Sequence, residues 1–352
     1  MTCIPNQTNS CCTTTKRDPS ATQPCVWQSG LMVVSTLQTL FTGIHLVAAL
    51  NFPVSEAMAI IGTFVIPHGG IALDPSYFNT TNETAKQQAW EVHKACVDIG
   101  HQISEKKPDV IFLSTPHGVS DLNRFAFYMN PTGHGFADTD NCACPPCCYE
   151  LTANFDVNTT NGLLKNLSGQ KFDVTGLSAF GPPGESNDAF PLRWAEVIPL
   201  SFIKDLKNMK IVVISQPSKR YTESVKMIPE LLMLGQKLYQ ELEELADKKV
   251  VVIVSADLAH THSEEGPYGY SNASEPFDKA CGTWASTLQP DALLKTAASY
   301  VDEAKSCGYT GLVMLHGMLQ AAGLDSWTHR LLVNYHPSYY GMMVAEFLPR
   351  KV

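Results

Sequence analysis

The sequence has no basic excess, no long run of like charge and no internal repeat. Each absence excludes something. Lysine and arginine total 25 against 34 aspartates and glutamates, a formal net charge of −9. A nucleic-acid partner would call for the opposite, a basic footprint. Without charge blocks there is no polyelectrolyte tail, and without a repeat there is no solenoid or propeller. An unbroken apolar run long enough to cross a bilayer is also missing. The nearest approach is LMVVSTLQTLFTGIHLVAAL at residues 31–50, which Thr, Ser, Gln and His interrupt. About thirty residues precede it, whereas a signal peptide begins close to a basic start. A membrane partner is therefore not expected, and a cytoplasmic location is. Segment 31–50 and six Asn-x-Ser/Thr sequons, at Asn6, Asn79, Asn82, Asn158, Asn166 and Asn272, keep secretion or membrane anchoring as the alternative.

What is present is ordinary globular composition: 352 residues, 44% apolar and 17% charged, enough for one large core or two modest ones. Eleven cysteines are scattered, an odd number in a chain too large to be a disulfide-stapled domain. Residues 1–30, rich in Cys, Thr, Ser, Pro and Asn, have little to bury and read as disordered. Residues 1–57 are expected to be an N-terminal extension and 58–352 one domain.

Regular patterning begins at Met58. Residues 59–66 read as a buried strand, 85–107 as a helix with Val92, Ala95, Cys96, Ile99 and Ile103 on one face, and 109–113 as a second buried strand. Strand–helix–strand units of this kind are right-handed, with parallel strands. KIVVIS at 210–215 and KVVVIVS at 249–255 read as further strands, with a long helix over 222–247 between them. Continuous Val/Ile runs belong to a sheet covered on both faces. Helices are expected at 277–304 and 308–322, then strands at 331–335 and 342–347. Residues 197–202 look strand-like. Residues 120–190 lack the rhythm and read as a long irregular excursion, the kind that forms the wall or lid of a pocket. The class is α/β, a single domain with a largely parallel or mixed sheet flanked by helices.

Three of the expected inner strands end in chemistry. Pro-His-Gly follows the first two, giving His68 and His117, and the 249–255 strand runs into Asp257 and His260. A proline that stops a strand, followed by an imidazole and a flexible glycine, can hold a metal ligand at a sheet edge. Sites in open α/β sheets form beyond the carboxyl ends of the strands. Neighbouring strands would bring these side chains into one crevice. Two imidazoles plus an anionic ligand with open positions suit non-heme Fe(II), and a third histidine suits proton transfer. Asp257 could orient His260, or serve as a turn or helix-capping residue. The histidines at 134, 262 and 316 read as a flexible-loop residue, a solvent-facing residue and a packing residue. Cys142, Cys144, Cys147 and Cys148 read as surface thiols or a local disulfide, because structural zinc draws on two separated pairs. Trp194 reads as a core or rim tryptophan.

SADLAHTHSEEGPYGYSNASEPFD, from Ser255 to Asp278, resembles the SGDLSH…PYGY…FD stretch of the class III extradiol ring-cleavage dioxygenase superfamily. That is the family of the protocatechuate 4,5-dioxygenase catalytic subunit, and within it the chain looks most like the Memo-related branch. The likeness runs from about residue 59 to 348. It includes the two Pro-His-Gly strand ends, SCGYTGLVML from Ser306, and the closing stretch from Asn334 to Ala345. The resemblance implies His68 and His117 as metal ligands, His260 as acid/base, and a small catechol-type aromatic substrate with O2. True extradiol enzymes place a glutamate third ligand near the start of a late helix. The Memo-like branch has a cysteine there, and Cys307 falls at that place, with Asp302 and Glu303 within a turn as substitutes. One non-heme ion is implied, Fe(II) first. A thiolate ligand would favour Cu or Zn, and would suit a redox or signalling protein without ring cleavage. A thiol at a helix N-terminus would also ionise more easily. A homodimer is allowed.

Overall fold

In the computed structural model, residues 58–182 and 187–350 are described. Expectations for the N-terminal extension, the 31–50 segment included, lie outside them. Among the described residues eleven strands occur in chain order: β1 Ile60–Ile66, β2 Val110–Thr115, β3 Phe125–Tyr128, β4 Thr132–Ala137, β5 Tyr149–Asn154, β6 Val174–Leu177, β7 Phe190–Leu192, β8 Lys210–Ser215, β9 Val250–Ser255, β10 Trp327–Tyr335 and β11 Met342–Pro349. Eight form one mixed sheet in the order β10-β11-β1-β9-β2-β8-β3-β6, and β5-β4-β7 form a second, smaller sheet. The four inner strands β1, β9, β2 and β8 are mutually parallel. The two strands on the C-terminal side, and β3 against β8, pair antiparallel.

The inner strands are apolar on both faces because both faces are covered. Val65, Val252 and Val254 point towards the helices Ile228–Glu243, Ser274–Thr287 and Tyr309–Ala321. Phe64, Ile66 and Ile253 point the other way, to the helices Glu83–Lys106 and Trp194–Ser201. Side-chain alternation along each strand divides one Val/Ile run between two cores. Each fully buried aliphatic side chain contributes about 1.5–3 kcal/mol, so these strands are the rigid base of whatever follows them.

Four expectations change. The helix over 277–304 is interrupted: Ser274–Thr287 ends at Leu288, whose φ of 54° is left-handed, and helical structure resumes over 292–304. The helix over 222–247 begins at Ile228, because Pro229 sits in its first turn and a short separate helix, Arg220–Glu223, precedes it. The strand-like run at 197–202 is helix. The Glu196 side chain accepts from the Arg193 N–H at the helix start, and residues 195–200 are buried all round, which erases the helical periodicity. Residues 120–190 hold five strands and the helix Val157–Gly169. Their strands are three to six residues long and lack continuous Val/Ile runs, so they carry a weak sequence signal. Cys142 pairs with Cys147 and Cys144 with Cys148, where the sequence leaves surface thiols or a local disulfide open. Among the described residues no helix is long and apolar enough to cross a membrane.

Candidate metal centre

Register places the site. Ile66 of β1 lies opposite Ser255 of β9, and Val254 lies opposite Ser114 of β2. The three strands therefore end level. The residue two places beyond each end is His68, Asp257 and His117, with Asp257 in the middle because β9 lies between β1 and β2. His260 follows on the same loop as Asp257.

Buried hydrogen bonds fix the chemistry of His68. The Ser255 hydroxyl gives its one proton to the Ala195 carbonyl at 2.6 Å. It can then only accept from His68 Nδ1, 2.9 Å away. His68 thus carries its proton on Nδ1 and leaves a bare lone pair on Nε2. That lone pair faces Cys307 Sγ at 3.3 Å and Asp257 Oδ2 at 3.4 Å. The His117 ring stands edge-on to His68, centroids 5.1 Å apart, and stacks on Trp194 at 5.2 Å. Donor atoms of His68, His117 and Cys307 all lie within 4.8 Å of one another, as do those of Asp257, His260 and Cys307.

The electrostatics suit a cation. Burial lowers the pKa of His68, of His117 to about 3 and of His260 to about 4, with the Arg220 guanidinium adding to all three. All are neutral imidazoles at pH 7, the form that ligates. Burial pushes Asp257 up to about 7, against backbone donors at His68 and Gly69 that pull it down. Burial likewise pushes the Cys307 thiol up. The thiol sulfur of Cys307 and a carboxylate oxygen of Asp257 converge on the imidazole nitrogen of His68, at 3.3 and 3.4 Å. For His68, His117 and Cys307 this donor set fits a non-heme ion. Bonds of about 2.0–2.3 Å from one ion set donors roughly 3.5 Å apart.

A cavity of about 440 Å³ opens over these groups, lined by His68, His117, Asp257 and His260. Trp194, Tyr268, Tyr339 and Tyr340 supply aromatic walls, with Asp138 and Asp140 on one side. The Tyr340 hydroxyl donates to Asp140 at 3.0 Å.

Several expectations are corrected. Asp257 does not orient His260. Its Oδ1 accepts from the His68 N–H at 2.9 Å, so it anchors the neighbouring turn. Cys307 precedes Gly308, the N-cap of helix Tyr309–Ala321, and burial outweighs any lowering by the helix terminus. Asp302 and Glu303 are exposed, and Glu303 reaches instead towards Ser271. The glycines of Pro-His-Gly are not there for flexibility. Gly69 has φ −68°, and a Cβ on it would strike the Tyr340 ring at 2.1 Å. His134 lies in the small sheet, paired with Glu150, away from the cavity lining. His262 is buried against Asp278 and does not face solvent. His316 is the packing residue expected, accepting from Trp284. Trp194 is a rim residue, and it also backs His117. Sequence reading missed two buried groups behind His117. Arg220 donates to the Pro116 carbonyl, and Glu196 accepts from Tyr128 at 2.9 Å and is pushed up to about 7 by burial. A lone arginine and a lone glutamate in unremarked segments carry no local signal of this.

Comparison with known proteins gives three findings. Residues 62–345 match the family described as the catalytic LigB subunit of aromatic ring-opening dioxygenase. A Clostridium acetobutylicum protein, CA_C1420, is 26% identical over 294 residues, 82% of this chain. The chain spans 58% of that relative's length. A solved structure, the uncharacterized protein JW3007 from Escherichia coli K12, aligns with 14% identity and a TM-score of 0.45, over 81% of this chain and 99% of that one.

Proposed function

Because the chain belongs to the family of catalytic LigB subunits of aromatic ring-opening dioxygenases, we propose that it is a metal-dependent dioxygenase acting on a catechol-type ring with O2. His68, His117 and Cys307 hold one non-heme ion, Fe(II) in this reading. The observation that carries it is the bare Nε2 of His68, fixed by Ser255 and aimed at Cys307. When bound, such an ion supplies positive charge to a catecholate and a common seat for both reactants. The rest falls to the chain. His260 is neutral at pH 7 and has a lone pair to receive a phenolic proton. Asp257 keeps the His68 turn in place through the His68 N–H. Trp194, Tyr268 and Tyr339 offer aromatic faces to a flat ring. Among the described residues no lysine or arginine lines the cavity, while Asp138, Asp140 and Asp257 do. That lining suits a ring with a neutral or cationic substituent over a carboxylated one.

Cys307 favours a second reading, a Memo-like metal-binding redox or signalling protein without ring cleavage. Thiolate in place of carboxylate makes the donor set softer, closer to Cu(I) or Zn. The deciding experiment loads the purified chain with Fe(II) under anaerobic conditions, adds a panel of catechols and then O2, and follows yellow ring-opened products. Turnover supports the first reading. Bound metal with no turnover across the panel removes it.

A further inference from the structure

A second set of ligand-type side chains lies outside the cavity. The side chain of His262, two residues past His260, is 4% exposed and places Nε2 2.8 Å from Asp278 Oδ2. Asp278 Oδ1 accepts from the Ala259 N–H at 2.9 Å, so the carboxylate is fixed and the His262 ring with it. His336, in the turn between β10 and β11, lies flat on His262 with ring centroids 3.9 Å apart. Glu275, in the first turn of helix Ser274–Thr287, brings Oε2 to 3.4 Å from His336 Nε2. One donor atom from each of His262, Glu275 and His336 lies within 4.8 Å of the other two.

Two imidazoles and a carboxylate are a donor set for a borderline divalent ion, Zn2+ above all. A carboxylate behind a histidine is the usual support for a metal-ligating imidazole, and Asp278 supplies it here. The parts also differ usefully in freedom. His262 and Asp278 are locked, whereas the side chains of His336 and Glu275 are 43% and 74% exposed and can turn to share an ion.

We propose that His262, Glu275 and His336 form a second divalent-metal site, of the Zn2+ class, separate from the centre around His68. It ties together the loop after β9, the start of helix Ser274–Thr287 and the β10–β11 turn. That loop and turn carry Tyr268, Tyr339 and Tyr340 of the cavity wall. They already meet where the His262 N–H donates to the Tyr339 carbonyl at 3.0 Å. An ion at this point clips the wall from outside. The proposal does not depend on the ring-opening reading.

Equilibrium dialysis against buffered micromolar Zn2+ tests it, comparing the full chain with its E275Q/H336Q variant. Both replaced side chains are exposed, and near-ultraviolet circular dichroism checks that the fold is kept. The unchanged chain is expected to retain one more equivalent of Zn2+ than the variant. A His68→Ala/Cys307→Ala variant is expected to keep that equivalent. An Asp278→Asn variant is expected to bind it roughly 10–100-fold more weakly. Equal Zn2+ content in the unchanged chain and E275Q/H336Q overturns the site, and loss of the equivalent in the His68/Cys307 variant overturns its independence.

Discussion

Single residues decide which atoms face the cavity. Ser255 is 187 positions from His68, yet its hydroxyl sets the tautomer that leaves Nε2 bare. Ser255→Ala is expected to weaken metal binding roughly 10–100-fold, read by competition with a chelator, while the fold persists. Glu196 gives a second residue-scale outcome. Burial raises its pKa from 4.5 to about 7, so the folded chain holds this proton to higher pH than the unfolded chain. Its contribution to stability is full below about pH 4 and declines as pH rises through about 7, a loss of ~3 kcal/mol. Urea unfolding between pH 5 and 8 should show this decline together with that of Asp257, which burial also raises to about 7, and Glu196→Gln should make it shallower. An unchanged pH dependence in the variant would remove Glu196 as a source. His68, His117, His260 and Cys307 were all legible in the sequence because each sits in a short recognisable motif. Ser255's role, Arg220 and Glu196 were not, because their partners lie far away in the chain and no local pattern encodes a distant contact.

At the scale of elements, the repeated Pro-His-Gly is a packing device. Its glycines leave room for neighbours. A Cβ on Gly118 would come within 2.0 Å of the Tyr128 hydroxyl and 2.3 Å of Glu196 Oε1, and one on Gly69 would meet the Tyr340 ring. Gly69→Ala and Gly118→Ala are each expected to cost about 1–3 kcal/mol by overpacking and to lower metal affinity by shifting the adjacent histidine. Chemical denaturation and metal titration read the two effects, and wild-type values in both would contradict the close-approach role. The inner strands were legible because continuous Val/Ile runs mean a strand covered on both faces. Helix Trp194–Ser201 was not, since a short segment buried on all sides has no period to read. The short strands between 120 and 190 were missed for the related reason that three to six residues make too short a run to read.

At the scale of the whole molecule, the strand order and level ends assemble the site. The order β1-β9-β2 puts Asp257 between His68 and His117, and sequence supplied only the condition that these strands be neighbours. On the proposed ring-opening reading, the lining carboxylates set a preference. Catechols with neutral or amine-bearing substituents are expected to give higher kcat/KM than carboxylated ones, by about 10-fold for one unfavourable charge contact of ~1.4 kcal/mol. A preference for carboxylated rings would contradict the reading of this wall. All five sequon asparagines among the described residues are exposed, so burial does not block glycan addition. The central claim is that this sheet edge gathers two imidazoles and a thiolate around one ion. X-ray absorption at the metal edge of the loaded E275Q/H336Q chain, with and without Cys307→Ala, tests it most directly. The expected result is a sulfur scatterer at about 2.3 Å beside nitrogen at about 2.0–2.1 Å, with the sulfur lost in the Cys307→Ala chain. A shell of nitrogen and oxygen alone, unchanged by that substitution, would contradict it.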